Sequence, residues 1–262
     1  EVAALTGERP SLVLSYKDFR QPVPCRELDQ ARVFGAITLL TWEPWTWGGG
    51  AAQPDYALGE IVSGAHDAHI AGWATGLAAW GHPVMLRFGH EMNGNWYPWA
   101  EGINGNRSGD YVAAWRHVHD LFGAAGATNV EWVWNPNVPY RGSTPLDGLC
   151  PGDGYVDTVA LDGYNWGTSQ SWSRWQPPWD LFDDGLAAIR RATPASWGFY
   201  LFFLASYFTL PVCDFLIFRR LWNVPPAAFT ALNRKRIAND ILIGYSGDAY
   251  FYAWARARLD MV

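Results

Sequence analysis

The stretch Pro83-Val84-Met85-Leu86-Arg87-Phe88-Gly89-His90-Glu91-Met92-Asn93-Gly94-Asn95-Trp96-Tyr97-Pro98-Trp99 decides how this chain is read. Its first part is a short apolar run bounded by Pro and Gly, the pattern of a strand buried on both faces. Its second part places a carboxylic acid among Arg, His and Asn at the strand's C-terminal end, and aromatic residues follow at once. A carboxylic acid donates a proton, polar groups hold hydroxyls, and flat apolar rings stack on sugars. Those are the parts a sugar-cleaving site needs.

The same punctuation recurs on either side. Leu12 to Tyr16, Ala36 to Thr41, Asn129 to Trp134 and Tyr155 to Leu161 read as further strands. Between them, Pro24 to Phe34, Leu58 to Trp80 (closed by Gly81), Asp110 to Gly123 and Phe182 to Arg191 carry helical patterns. The 110–123 helix shows an apolar face of Val112, Trp115, Val118 and Phe122. Strands alternating with helices imply a parallel sheet of βαβ units. The polar clusters follow strand ends: Trp42-Glu43, His90-Glu91, Asn135-Pro136-Asn137 and Asp162-Gly163-Tyr164-Asn165. In a (β/α)8 TIM barrel those positions converge on one rim. An open doubly wound sheet is the alternative, and no Gly-rich phosphate loop supports it.

The bulk composition agrees with one large α/β domain, since 262 residues suffice for a barrel. Seventeen Trp in a chain with only 17% charged residues suit either sugar platforms or a large aromatic core. A net charge of −6 argues against a nucleic-acid partner. Cys25, Cys150 and Cys213 are odd in number and widely spaced, so neither a disulfide framework nor a zinc pattern is read. No signal peptide is seen. His66 and His69 lie at i, i+3, a spacing metal sites use, but no further ligand cluster accompanies them and a solvated helix face is preferred. No nucleophile-elbow motif supports Ser-His-Asp chemistry.

Glu91 is the candidate acid, because a Glu beside His90 and Asn93 at a strand end has the surroundings that raise a carboxyl pKa. At these residues the chain resembles glycoside hydrolase family 26, the β-mannanases and related β-glucanases and β-xylanases of the (β/α)8 clan. Thr41-Trp42-Glu43-Pro44-Trp45, Tyr111 to His119, Asn129 to Asn137, Pro151 to Asp157 and Leu161 to Trp166 fit the same family, so the resemblance covers roughly residues 10–190. It implies that Glu91 is the general acid/base of a retaining enzyme, that His90 contacts substrate and orients the site, and that Trp96 is the platform of the cleavage subsite. It implies that Tyr164 bonds the nucleophile, and that Arg87 and Asn93 hold carboxylates and hydroxyls. Trp42 and Trp166 are read as wall residues or as core. The substrate implied is a plant-type polysaccharide, β-1,4-mannan first and related β-glucan or β-xylan next, with no cofactor. A secreted, extracellular monomer with no membrane partner is expected from the resemblance.

Two features depart from the family. A retaining enzyme needs a second carboxylate as nucleophile. The family supplies a Glu at a later strand end, yet every Glu here lies at or before Glu131. The nearest echo, Leu210-Pro211-Val212-Cys213-Asp214-Phe215, offers Asp214 as a candidate nucleophile or as an ordinary Asp in unrelated sequence. Without a nucleophile, the alternative reading is a sugar-binding pseudoenzyme. The charge also inverts: residues 190–262 hold nine Lys/Arg and four Asp (9 − 4 = +5), against ten Lys/Arg and 21 Asp/Glu before them (10 − 21 = −11).

Residues 1–190 are therefore read as the main barrel, and 191–262 as an atypical part arising by frameshift or fusion. Sequencing the coding DNA checks this: an alternative frame encoding a Pro-Val-x-x-Glu strand is the frameshift result. Residues 192–213 are uncharged and long enough to span a bilayer, but Pro194, Pro211 and several hydroxyl residues favour buried material. Only two strands precede the acid-bearing one where the family has three, so the first barrel strand is expected to be missing.

Overall fold

The computed structural model describes residues 7–193, 211–220, 224–241, 251 and 255. The chain divides into two compact units, Glu1–Pro194 and Ala195–Val262.

The first unit contains strands β1 (Leu12–Asp18), β2 (Ile37–Glu43), β3 (Val84–Phe88), β4 (Val130–Trp134) and β5 (Thr158–Val159). They pair in parallel in the order β1-β2-β3-β4-β5. Neighbours in sequence are neighbours in the sheet, which is the winding of a barrel arc and not of a doubly wound sheet, whose order reverses at a switch point. Helices α1 (Cys25–Phe34), α2 (Leu58–Val62), α3 (Asp67–Trp80), α4 (Asp110–Ala124) and α5 (Pro178–Ala192) fill the connections.

The elements follow their sequence signals with two local departures. The helical pattern of 58–80 is broken into α2 and α3 at Gly64, whose φ of +89° no helix accommodates. The strand expected over 155–161 shrinks to two residues, with Asp162 joined to Asn137 by an isolated bridge just beyond it. Gly81 closes α3 in the left-handed conformation, as a helix C-terminus prefers. Helix α4 buries Tyr111, Ala114, Trp115, Val118 and Phe122, a stripe at helical spacing.

The core lies between sheet and helices. Leu40, Leu86 and Phe88 from the strands meet Ile61, Ile70, Trp73, Leu77, Trp115 and Phe122 from the helices. Trp42 is fully buried there, stacked on Trp73 at 4.6 Å and 22°. The wall role considered for Trp42 is thus corrected: alternation along β2 turns its ring toward the helices, away from the rim. The aromatic residues divide between core and surface: Trp42, Trp73, Trp99, Trp115 and Trp134 are buried while Trp96, Trp166, Trp172, Trp175 and Trp179 are exposed.

In the second unit, residues 211–220 are helical and α6 spans Ala227–Ile241. Phe218 stacks on Phe251 at 5.4 Å, beside buried Ala231 and Leu232. The strand reading of 210–215 is corrected by this: Asp214 stands on a helix, not at a strand end, so the argument that selected it as nucleophile fails. Most of the apolar run between 192 and 213 lies outside the described residues. Among the described residues, no helix is long and apolar enough to cross a membrane.

Candidate active site

The C-terminal ends of β1 to β4 and the residues after β5 bring one cluster together, with Arg87 at its centre. Arg87 is buried on β3. Its Nε donates to Thr41 Oγ1 (2.8 Å), and Nη1 donates to Asn135 Oδ1 (2.7 Å) and to Asp162 (3.1 and 3.3 Å). Nη2 donates to the Tyr16 hydroxyl at 3.2 Å. One guanidinium therefore ties β1, β2, β4 and the β5 loop to β3, a task its planar fork of donors suits.

Glu91 follows three residues after the end of β3. Its backbone N–H donates to the Asn135 carbonyl (2.7 Å), and its φ is +51°, an uncommon conformation for a non-glycine residue. The buried carboxyl accepts the Trp96 indole N–H through Oε2 at 2.9 Å. Burial, and then the neighbouring Asp162, push its pKa up; the indole and Arg87 oppose this. A carboxyl held this way favours its protonated form, which is what a general acid requires.

Unfolded and folded Glu91 are both protonated well below the ordinary carboxyl value of 4.5, and folding there carries no penalty. Above the raised folded pKa, the buried charge destabilises the fold. Glu91→Gln is expected to raise the melting temperature at neutral pH and to raise it less, or not at all, below pH 4.5. Calorimetry across that window checks it.

Trp96 is 38% exposed, and its ring stacks on Tyr140 at 5.5 Å and 30°. The ring lies against Gly94 so closely that an added Cβ would sit 2.5 Å from its Cζ2. Gly94→Ala is expected to push the indole off Glu91 while the fold persists. Losing one hydrogen bond to a neutral carboxyl costs about 0.5–1.5 kcal/mol, so any kcat/KM measured on a glycan is expected to fall about two- to tenfold, with the circular dichroism spectrum unchanged.

Asn93 is corrected from its expected role. Its amide is fully buried: Oδ1 accepts the Asn137 N–H and Nδ2 donates to the Asn137 carbonyl, both at 2.8 Å. It clips the loop after β3 to the loop after β4, and its complete burial leaves no surface for a sugar. Asn93→Ala is expected to cost about 2–3 kcal/mol in a urea titration, because it leaves buried backbone groups unpaired.

His90 is also buried, at 2% exposure, so its expected contact with substrate is indirect. Its pKa falls to about 3, from burial first and the Arg87 cation second, and the ring is neutral. Tyr164 is 64% exposed, stacks on Trp166 at 5.5 Å and 28°, and stands within electrostatic reach of Glu91, Asp162 and Arg87.

Sequence reasoning noted the clusters at Glu43, Asn135 and Asp162 but gave them no roles, and it passed over Tyr16 and Tyr97. Their common signal is position at or just after a strand C-terminus, or at the aromatic run behind Glu91. His66 and His69 do not form a metal cluster. His66 Nε2 bonds the Asp55 carbonyl and its ring stacks on Tyr56, while His69 packs against Phe19 and Trp42.

A sequentially wound parallel sheet carrying a buried carboxyl of raised pKa, an arginine hub and an exposed indole at its C-terminal rim has the arrangement of a (β/α)8 active face. Residues 56–183 match the family model described as Glycosyl hydrolase family 26. Endoglucanase H of Acetivibrio thermocellus is 47% identical over 159 residues, 59% of this chain and 17% of that protein. Mannan endo-1,4-beta-mannosidase A and B of Caldalkalibacillus mannanilyticus is 41% identical over 90 residues, 32% of this chain and 17% of that protein. The chain thus spans about a sixth of the length of each of these relatives. A β-mannanase from a symbiotic protist of the termite Reticulitermes speratus, solved with a gluco-manno-oligosaccharide, has a TM-score of 0.54 at 18% identity, over 73% of this chain and 65% of that one. The fold is accordingly of the (β/α)8 class, with five strands among the described residues.

Proposed function

We propose that the first unit carries the acid/base half of a retaining β-glycan hydrolase, with Glu91 protonating the glycosidic oxygen and later activating water. The observation that carries this reading is Glu91 itself: a buried carboxyl, raised by burial, hydrogen-bonded to an exposed indole on which a sugar ring can stack. Trp96 forms the platform, Tyr164 and Trp166 extend it, and Arg87 fixes Asp162 beside the acid. Backbones of β-linked glucan and mannan are the substrate class, because the matched relatives are named an endoglucanase and mannosidases. Secretion and a monomeric state belong to the same reading.

A second reading is favoured by one observation: no Glu follows Glu131, and Asp214 lies on a helix. A chain lacking its nucleophile binds polysaccharide through the same aromatic residues without turning it over. Reducing-end release from mannan, mixed-linkage glucan and β-1,3-xylan, beside Glu91→Ala, separates the two. Release abolished by Glu91→Ala is the hydrolase result; binding without release is the other. Release that appears only with added azide identifies an intact acid lacking its nucleophile, since azide supplies the attacking group.

A further inference from the structure

The buried ring of His90 lies between two groups, and its Nδ1 is closed to solvent. Nε2 is 3.3 Å from the Tyr97 hydroxyl. Nδ1 is buried with no hydrogen-bond partner, and Glu43 Oε1 stands 3.9 Å from it. The other Glu43 oxygen, Oε2, accepts the indole N–H groups of Trp45 and Trp47. Oε1 is thereby the face of the buried carboxylate left for the imidazole. A buried nitrogen without a partner requires an explanation.

A neutral imidazole carries one N–H. Burial raises the Glu43 pKa, while the Trp47 and Trp45 indole N–H groups and Arg87 favour its charged form. With the hydrogen on Nε2, the Nδ1 lone pair would face an ionised Glu43, acceptor against acceptor, where the low dielectric makes repulsion strong. With the hydrogen on Nδ1, the N–H points toward Oε1, and Nε2 is free to accept from Tyr97. At 3.9 Å the first contact is Coulombic attraction and not a hydrogen bond.

We propose that Glu43 is a positioning residue: it holds His90 as the Nδ1–H tautomer, so that Nε2 accepts the Tyr97 hydroxyl hydrogen and leaves the Tyr97 oxygen as a fixed acceptor for a hydroxyl of the bound sugar. Tyr97 is held in plane by stacking on Trp99 at 4.3 Å and 12°, and it lies within the field of Glu91, Glu43, Tyr16 and Tyr164. The line Glu43–His90–Tyr97 thus runs from the end of β2 to the cleft. The sugar contact rests on the glycan reading above; the tautomer does not.

Nitrogen-15 spectra of the full chain labelled at histidine test this, with the His90 signals identified by their loss in His90→Gln. The expected result is a protonated Nδ1 and a bare Nε2 in the unsubstituted protein; a protonated Nε2 overturns the proposal whether or not any glycan is cleaved. In Glu43→Gln the amide oxygen takes the two indoles and the amide NH2 faces Nδ1, so His90 is expected to switch to Nε2–H; an unchanged tautomer overturns the role of Glu43. Affinity electrophoresis in soluble mannan or glucan reads the last link without turnover. Glu43→Gln and Tyr97→Phe are each expected to weaken binding about tenfold, and the double variant little more than either. Independent, multiplying losses overturn the link between them.

Discussion

Glu91→Gln is expected to lower polysaccharide hydrolysis by about 10²–10⁴-fold, the range that positioned general acids contribute. The substitution keeps shape, and Gln still accepts the Trp96 indole through its oxygen while its NH2 faces Asp162. What disappears is the transferable proton. The loss therefore depends on the leaving group. A natural sugar departs as a poor alkoxide and needs protonation, whereas an aryl glycoside with an acidic phenol does not. The expected pattern is near-complete loss on polysaccharide and a far smaller loss in the glycosylation step on the activated substrate. Equal losses on both would place the role of Glu91 in binding.

Arg87→Met is the second large effect, expected to cost about 3 kcal/mol and to remove activity as well. Breaking a buried ion pair costs about 3–5 kcal/mol because one charge is left behind. The lower end applies, since Asp162 retains 30% side-chain exposure and solvent screens it. Thr41 Oγ1 and Asn135 Oδ1 lose their donor at the same time. Freed from Arg87, the Asp162 carboxylate no longer has a countercharge beside Glu91. Arg87→Lys is expected to restore little, because a point charge cannot serve Thr41, Asn135, Asp162 and Tyr16 together. Urea midpoints at unchanged m-value give the stability cost, and reducing-end assays give the activity.

The sequence was most legible where local physics and tertiary packing agree. The apolar runs of β1 to β4, the helix closed by Gly81 and the strand-end placement of Glu91 follow from short-range pattern alone. Trp42 stayed open between wall and core, and Asn93 was misplaced, for one reason: a residue near a rim faces either inward or outward, and which one depends on register and loop clips that no local pattern carries. His90 shows the same limit, because adjacency to Glu91 in sequence placed it in the site but not underneath Tyr97. Glu43, Asp162 and Tyr16 join Arg87 and His90 through contacts spanning tens of residues. Asp214 was selected by analogy to a strand that 211–220 do not form.

The central claim is that the fold holds Glu91 as a protonated acid, and its own titration tests that most directly. With carbon-13 at the glutamate carboxyl positions, eight signals are expected, and the one missing in Glu91→Gln identifies the residue. This signal is expected to titrate clearly above the ordinary 4.5, with burial as the main cause and Asp162 the next that raises it. Titration at or below 4.5 would contradict it, because an ordinary carboxyl at this position would already have lost the proton it is assigned to deliver.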